Sequence, residues 1–208
     1  MRTEDEQLSR AMADDLDGSF EQLVLTYQDR IFRFGFRLTG NPQDGEEIAQ
    51  DAFVRAYQAL AGYPSDRIRA LALRAWLYQI ALNVFRNRVR KRQVQQVSLD
   101  GAFPLEDQEK LPERIVEEAE LCRELAALIA TLPERYRAAV VLRHVEELSY
   151  TEMAKVLDQP VGTIKANVHR GLQRLRTALP EHKNVDRAPV ARPSLGSVAL
   201  RTTREVTR

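Results

Sequence analysis

The chain has 208 residues, enough for one large or two small domains, and a hydrophobic content of 44% can supply a real core. Its formal net charge of +1 balances 31 basic against 30 acidic residues, so bulk charge gives no reason to expect a polyanionic partner. No apolar run approaches the roughly 18 residues of a membrane span, the opening MRTEDEQLSR lacks a signal peptide's apolar core, and the single cysteine, Cys122, excludes an internal disulfide; the expected setting is a reducing cytoplasm, without membrane insertion.

The balanced mean conceals segregation. Arg74 to Arg92 holds six Arg or Lys and no acid, Lys165 to Arg176 repeats the pattern, and Asp44 to Asp51 and Glu106 to Glu124 are strongly acidic. Local sign is what a partner feels within a Debye length of about 10 Å. Apolar residues recur at three and four along most of the chain, which predicts helices near 19–38, 42–60, 70–93, 112–131, 134–146, 149–157 and 161–179, and no strand pattern competes. Helix starts are marked by Ser19 with Gln22 and Ser149 with Glu152 as capping boxes, and by prolines at Asn41-Pro42, Leu111-Pro112 and Leu132-Pro133. From Gln93 to Pro112 the helical period gives way to Gly, Pro and Asp. The fold class expected is therefore all-α: two small helical domains joined by a flexible linker, with a helix-turn-helix in the second. The boundaries are an N-terminal arm over 1–17, a first domain over 18–93, the linker over 94–112, a second domain over 113–180 and a disordered tail over 181–208.

Three faces carry candidate chemistry. The helix near 42–60 buries Ile48, Ala52, Ala56 and Leu60 and turns Asp44, Glu47, Asp51 and Gln58 outward with Gln50 at the edge; this suits a basic protein partner or a plain solvated face. In RAWLYQIALNVFRNRVRKR, Gln79, Asn83, Arg86 and Arg90 lie at i, i+4, i+7 and i+11, flanked by Trp76 and Asn87. Amides suit base edges and guanidinium groups suit phosphate, although a solvated charged face reads equally well, and Trp76 fits core more readily than base stacking. The segment LSYTEMAKVLDQPVGTIKANVHRGLQRLR is a short capped helix, a break at Asp158-Gln159-Pro160 and a longer helix. That longer helix seats Ile164, Val168, Leu172, Leu175 and Leu179 on one stripe and points Thr163, Ala166, Arg170 and Gln173 the other way. This is the layout of a helix-turn-helix whose second helix enters the major groove. Small Ala166 permits close approach to bases, and Tyr150 with Thr151 stands where hydroxyls and helix N-terminal amides meet phosphate.

In this order, an acidic DGEEIAQDAFVRAYQAL helix, a RAWLYQIALNVFRNRVRKR helix, a linker and LPERYRAAVVLRHVEELSYTEMAKVLDQPVGTIKANVHRGLQRLR, the chain resembles an extracytoplasmic-function sigma factor of bacterial RNA polymerase over roughly Gly18 to Leu179. The resemblance implies a region 2 that docks on the β′ coiled coil and melts the minus-10 element, and a region 4 that sits on the β flap and reads the minus-35 element. It implies that Asp44, Glu47, Gln50 and Asp51 meet β′, that Asn83 and Arg86, in the stripe with Gln79 and Arg90, work at the minus-10 strand, and that Lys165, Ala166, His169 and Arg170 meet the minus-35 groove with Tyr150 and Thr151 on phosphates. Partners would be core polymerase, promoter DNA and an anti-sigma factor. Two places depart from the family pattern: Ala166-Asn167 stands where a Ser-Arg pair is common, and the loop YPSDRIRALAL before Trp76 is longer. A stand-alone helix-turn-helix regulator is the alternative. An enzyme is not expected, and no cofactor or metal is: His144, His169 and His182 lack ligand spacing, there is no phosphate loop or nucleophile motif, and Cys122 on a helical face reads as a core thiol.

Overall fold

The computed structural model describes residues 2–96 and 123–178, with side chains over 4–91 and 123–178. Every regular element among the described residues is a helix. The first lobe comprises α1 (Arg2–Asp14), α2 (Leu16–Thr39), α3 (Pro42–Ala61), α4 (Ser65–Arg69) and α5 (Leu73–Gln96). The second comprises α6, described over residues 123–130, then α7 (Glu134–His144), α8 (Tyr150–Leu157) and α9 (Val161–Ala178). Cys122, Leu179, the proline signal at Pro112, most of the expected linker and the expected tail lie outside the described residues.

Residues 2–14, expected as an arm, are helical because Leu8 and Met12 at i, i+4 find an apolar seat and are buried. The Asp5 carboxylate accepts from the buried Tyr27 hydroxyl, and Arg69 of α4 reaches Asp14 at 2.6 Å. The start of α2 is likewise earlier than expected. Asp15, not Ser19, is its N-cap and accepts from the Gly18 amide at 3.0 Å, which places Ser19 inside the helix. The short hairpin between α2 and α3 is built from local signals. Gly40 adopts φ 75° and closes α2 through its N–H to the Phe36 carbonyl, then Asn41 Oδ1 accepts from the amides of Gln43 and Asp44, with Pro42 in the first turn. Such a cap contributes about 1 kcal/mol. The two helices then cross at glycines: a Cβ on Gly45 would lie 2.8 Å from the Phe36 nitrogen, so only hydrogen fits there.

The first core lies between α2, α3 and α5. Leu23, Ile31, Phe34 and Leu38 face Ile48, Ala52 and Leu60, and Phe34 meets Tyr78 edge to face at 5.1 Å. Each fully buried large apolar side chain contributes roughly 1.5–3 kcal/mol. In the second lobe α7 supplies Ala138, Ala139, Val141 and Leu142, and α8 and α9 close over them with Met153, Val156, Ile164 and Val168. Helix α7 ends two residues before the expected boundary, and Val145, Glu146 and Glu147 turn the chain, Glu147 at φ 54°.

The two lobes touch. The Tyr78 hydroxyl of α5 donates to the Glu146 carboxylate, and Arg74 donates to the Glu146 carbonyl. Arg86 pairs with Glu134 of α7 at 2.7 Å. Arg137 of α7 is the staple: its guanidinium donates to the carbonyls of Leu38, Ala130 and Leu132, which are orphan acceptors at the ends of α2 and α6. The two lobes accordingly form one compact unit.

Candidate nucleic-acid interface

Helix α8 begins in the expected capping box. Ser149 Oγ accepts from the Glu152 amide at 3.2 Å while Glu152 Oε2 accepts from the Ser149 amide at 2.8 Å. It ends on Asp158 in the left-handed region at φ 51°. Between α8 and α9, Asn167 Nδ2 donates to Gln159 Oε1 at 3.2 Å. Asn167 is buried, so at this departure from the family pattern the side chain holds the turn rather than facing a partner. Gly171 lets α9 lie directly on α7, since a Cβ there would fall 2.5 Å from Val140 Cγ2.

This scaffold leaves Lys165, Ala166, His169 and Arg170 all exposed, together with Thr163 and Gln173. Tyr150 is partly buried beneath two cations, Arg143 at 4.8 Å and Lys165 at 5.5 Å from its ring. Thr151 is exposed, its hydroxyl 2.9 Å from that of Ser149. The basic face continues past the residues anticipated from sequence into a groove of about 690 Å³ that Arg170, Gln173, Arg174 and Tyr136 share. Arg135 donates to the Tyr136 hydroxyl at 3.0 Å; that bond, helped by Arg170, holds the phenol below its ordinary pKa. Tyr136 and Arg135 carried no sequence signal, because α7 reads as a core helix and only the approach of α9 brings them to this face.

On α5 the structure separates the expected stripe. Asn83 and Arg90 are exposed, Gln79 is partly covered, and Arg86 is engaged by Glu134 from the other lobe. Arg90 also donates to Asn87 at 3.0 Å. Trp76 packs partly buried 6.2 Å from the Tyr63 ring, over which Arg67 sits at 3.7 Å. The longer loop before Trp76 is thus ordered around α4, whose Ile68 is buried.

The acidic face of α3 differs from the helical wheel at one position. Asp44 does not look outward; it is buried in the first turn, because α5 crosses there and brings Arg88 over it. Arg88 gathers three carboxylates: Asp44 at 4.0 Å, Asp51 at 3.5 Å and Glu47 between them. Glu47 is half-buried, and Gln50 and Asp51 are exposed, Gln50 donating to Glu46 at 3.4 Å. Arg88 was legible only as one more charge in a basic run.

The family profile for sigma-70 region 2 matches residues 23–94, and that for sigma-70 region 4 matches residues 122–175. The chain is 34% identical over 170 residues to the ECF RNA polymerase sigma factor SigE of Mycolicibacterium smegmatis, covering 80% of this chain and 63% of that protein. It is 33% identical over 178 residues to the ECF RNA polymerase sigma factor SigW of Bacillus subtilis, covering 77% of this chain and 89% of that one. Its fold is similar to that of the sigma factor RpoE in complex with the anti-sigma factor NepR from Bartonella quintana, with a TM-score of 0.60 and 23% identity over 76% of this chain and 94% of that one.

Proposed function

Because the chain belongs to the extracytoplasmic-function sigma factors of RNA polymerase, we propose that it acts as a non-catalytic subunit that brings core polymerase to a set of promoters in the cytoplasm and opens them. The observation that carries the reading is the capped helix-turn-helix with Lys165, Ala166, His169 and Arg170 exposed along one side of α9. A helix presented this way can set its N-terminal half into a major groove, where Arg170 reads a base edge, Lys165 meets phosphate, and Tyr150 and Thr151 clamp the backbone. Asn83 and Arg86, with Gln79 and Arg90 beside them, serve the minus-10 strand. Arg86 must first exchange Glu134 for DNA, so engagement of both promoter elements goes with separation of the lobes. Glu47, Gln50 and Asp51 offer an acidic rim to the β′ coiled coil, while Asp44 acts beneath them by fixing Arg88. Region 4 contacts the β flap, and an anti-sigma factor is a further partner, in line with the RpoE–NepR complex.

The test is co-purification with core RNA polymerase followed by transcription in vitro from genomic promoters. Stable holoenzyme and initiation at a defined set of start sites are expected; tight operator binding by the chain alone, with no association with polymerase, would overturn the reading.

A further inference from the structure

One concentration of like charge lies outside the surfaces assigned above. Arg30, Arg33 and Arg37 stand at i, i+3 and i+7 on α2, one face spread over roughly 10 Å of helix axis. Arg74, in the first turn of α5, joins them, and the four arginines line a cavity of about 310 Å³ whose remaining walls are Val145, Glu146 and Glu147. Four guanidinium groups there face two carboxylates. The acids arrive at a conformational cost. Glu147 adopts φ 54°, a region that a residue with a Cβ seldom occupies. Glu146 is buried, its carboxylate accepting from Tyr78 and its carbonyl from Arg74, while Arg33 and Arg37 attract the same carboxylate through space. A strained turn that carries two acids into an arginine basin behaves as a ligand of that basin.

We propose that Arg30, Arg33, Arg37 and Arg74 form a phosphate-binding surface for nucleic-acid backbone, and that the Glu146–Glu147 turn is its resident anion while the lobes are closed. Closure and occupation by nucleic acid therefore exclude one another. All four cations are arginine, whose planar, weakly hydrated fork matches phosphate oxygens in pairs. The basin lies on α2 and the start of α5, apart from both α9 and the Asn83–Arg90 end of α5, so it would add a third set of backbone contacts. The arginine basin and its plug stand on geometry alone; the choice of nucleic acid as the polyanion rests on the function proposed above.

The experiment measures binding of the full chain to fluorescein-labelled oligothymidylate, which contains no promoter element, between about 50 and 200 mM salt. Glu146→Gln with Glu147→Asn neutralises the plug while keeping a residue that tolerates the left-handed turn; Glu147→Asn alone serves if the pair does not melt cooperatively. The neutralised chain should bind about three- to tenfold tighter, because two carboxylates no longer compete within a Debye length of the basin. Arg33→Ala with Arg37→Ala in that background should erase the gain and lower the slope of log K against log salt by roughly 1.4, about 0.7 for each phosphate no longer neutralised. In the parent, where the plug is in place, the same arginine pair should matter little. Unchanged affinity on neutralising the plug, or an unmoved salt slope on removing the arginines, overturns the site. Displacement of the oligonucleotide by poly-glutamate as effectively as by unlabelled oligothymidylate would make the ligand an acidic polypeptide and overturn the assignment to nucleic acid. Neither result depends on whether the chain reads promoters.

Discussion

Arg88 and Glu146 show how single residues in this chain do work that their neighbours in sequence do not announce. Arg88 neutralises the buried Asp44 and draws Glu47 and Asp51 toward it. Arg88→Ala would take away a cation that Asp44, Glu47 and Asp51 share, and a loss of about 1–3 kcal/mol is expected in thermal or urea unfolding. Glu146 is governed by burial, which raises its carboxyl above the ordinary 4.5 against the opposing pull of Tyr78 and the nearby arginines. An acid whose pKa is higher in the folded chain holds its proton better there. Its contribution to stability is therefore full below the unfolded value and is lost as pH rises through the folded one. Glu146→Gln removes that titration, so the native chain should gain stability relative to the variant on acidification from neutrality toward about pH 4.5. A difference in melting temperature that does not change with pH would contradict the burial effect. On α9, Arg170→Ala should cost on the order of 1–3 kcal/mol of promoter discrimination and relax preference at one or two minus-35 positions in a promoter-variant transcription assay. A uniform loss across all promoters would assign Arg170 to phosphate instead.

At the scale of elements, α8 and α9 form a reader whose parts were visible in advance, and α3 forms a docking face whose partner inside the chain was not. The capping box from Ser149 to Glu152 is local chemistry within one helical turn. Ser149→Ala should cost about 1 kcal/mol in unfolding and reduce minus-35 recognition in proportion to the lost order of α8, not its specificity. The position of α9 on α7 depends on Gly171 and on the Asn167–Gln159 bond, and neither gives a periodic signal. For α3, reversing charge at Glu47 and Asp51 would crowd new cations around Arg88 and confound docking with folding. Glu47→Gln with Asp51→Asn is the cleaner change. Both acids are about half exposed, so unfolding free energy should shift by no more than about 1 kcal/mol, while co-purification with core polymerase should weaken markedly. Undiminished holoenzyme formation by this variant would show that the face is merely solvated.

The two lobes are closed on each other in this structure: α5 lies against the start of α8, and α7 is tied to the end of α2. Glu134→Gln should release Arg86 with little change in melting, since the pair is partly exposed, and a fluorophore pair placed one on each lobe should report a larger open fraction. An unaltered distance distribution would mean that the pair follows closure and does not help to hold it. The closed chain should bind a consensus promoter weakly and gain specificity with core polymerase, because each lobe alone offers a small interface and must bear its own ordering cost. Tight specific binding by the isolated chain, measured by anisotropy at physiological salt, would argue otherwise. The sequence by itself determined the helices α2, α3, α5, α7, α8 and α9 to within a few residues, the start of α3 at Asn41-Pro42, the Ser149 cap and the outward set on α9. All of these follow from a 3.6-residue period or from caps spanning a few residues, and such signals are complete within one segment. Tertiary structure alone decided that Asp44 is buried, that residues 2–14 find a seat, that Arg86 is held by Glu134 and that Glu146 enters an arginine basin. Those outcomes join residues from 44 positions apart, as Asp44 and Arg88 are, to 116, as Arg30 and Glu146 are, or need another helix to supply the apolar surface, and a charge's fate there depends on which opposite charge and how much water the packing leaves beside it.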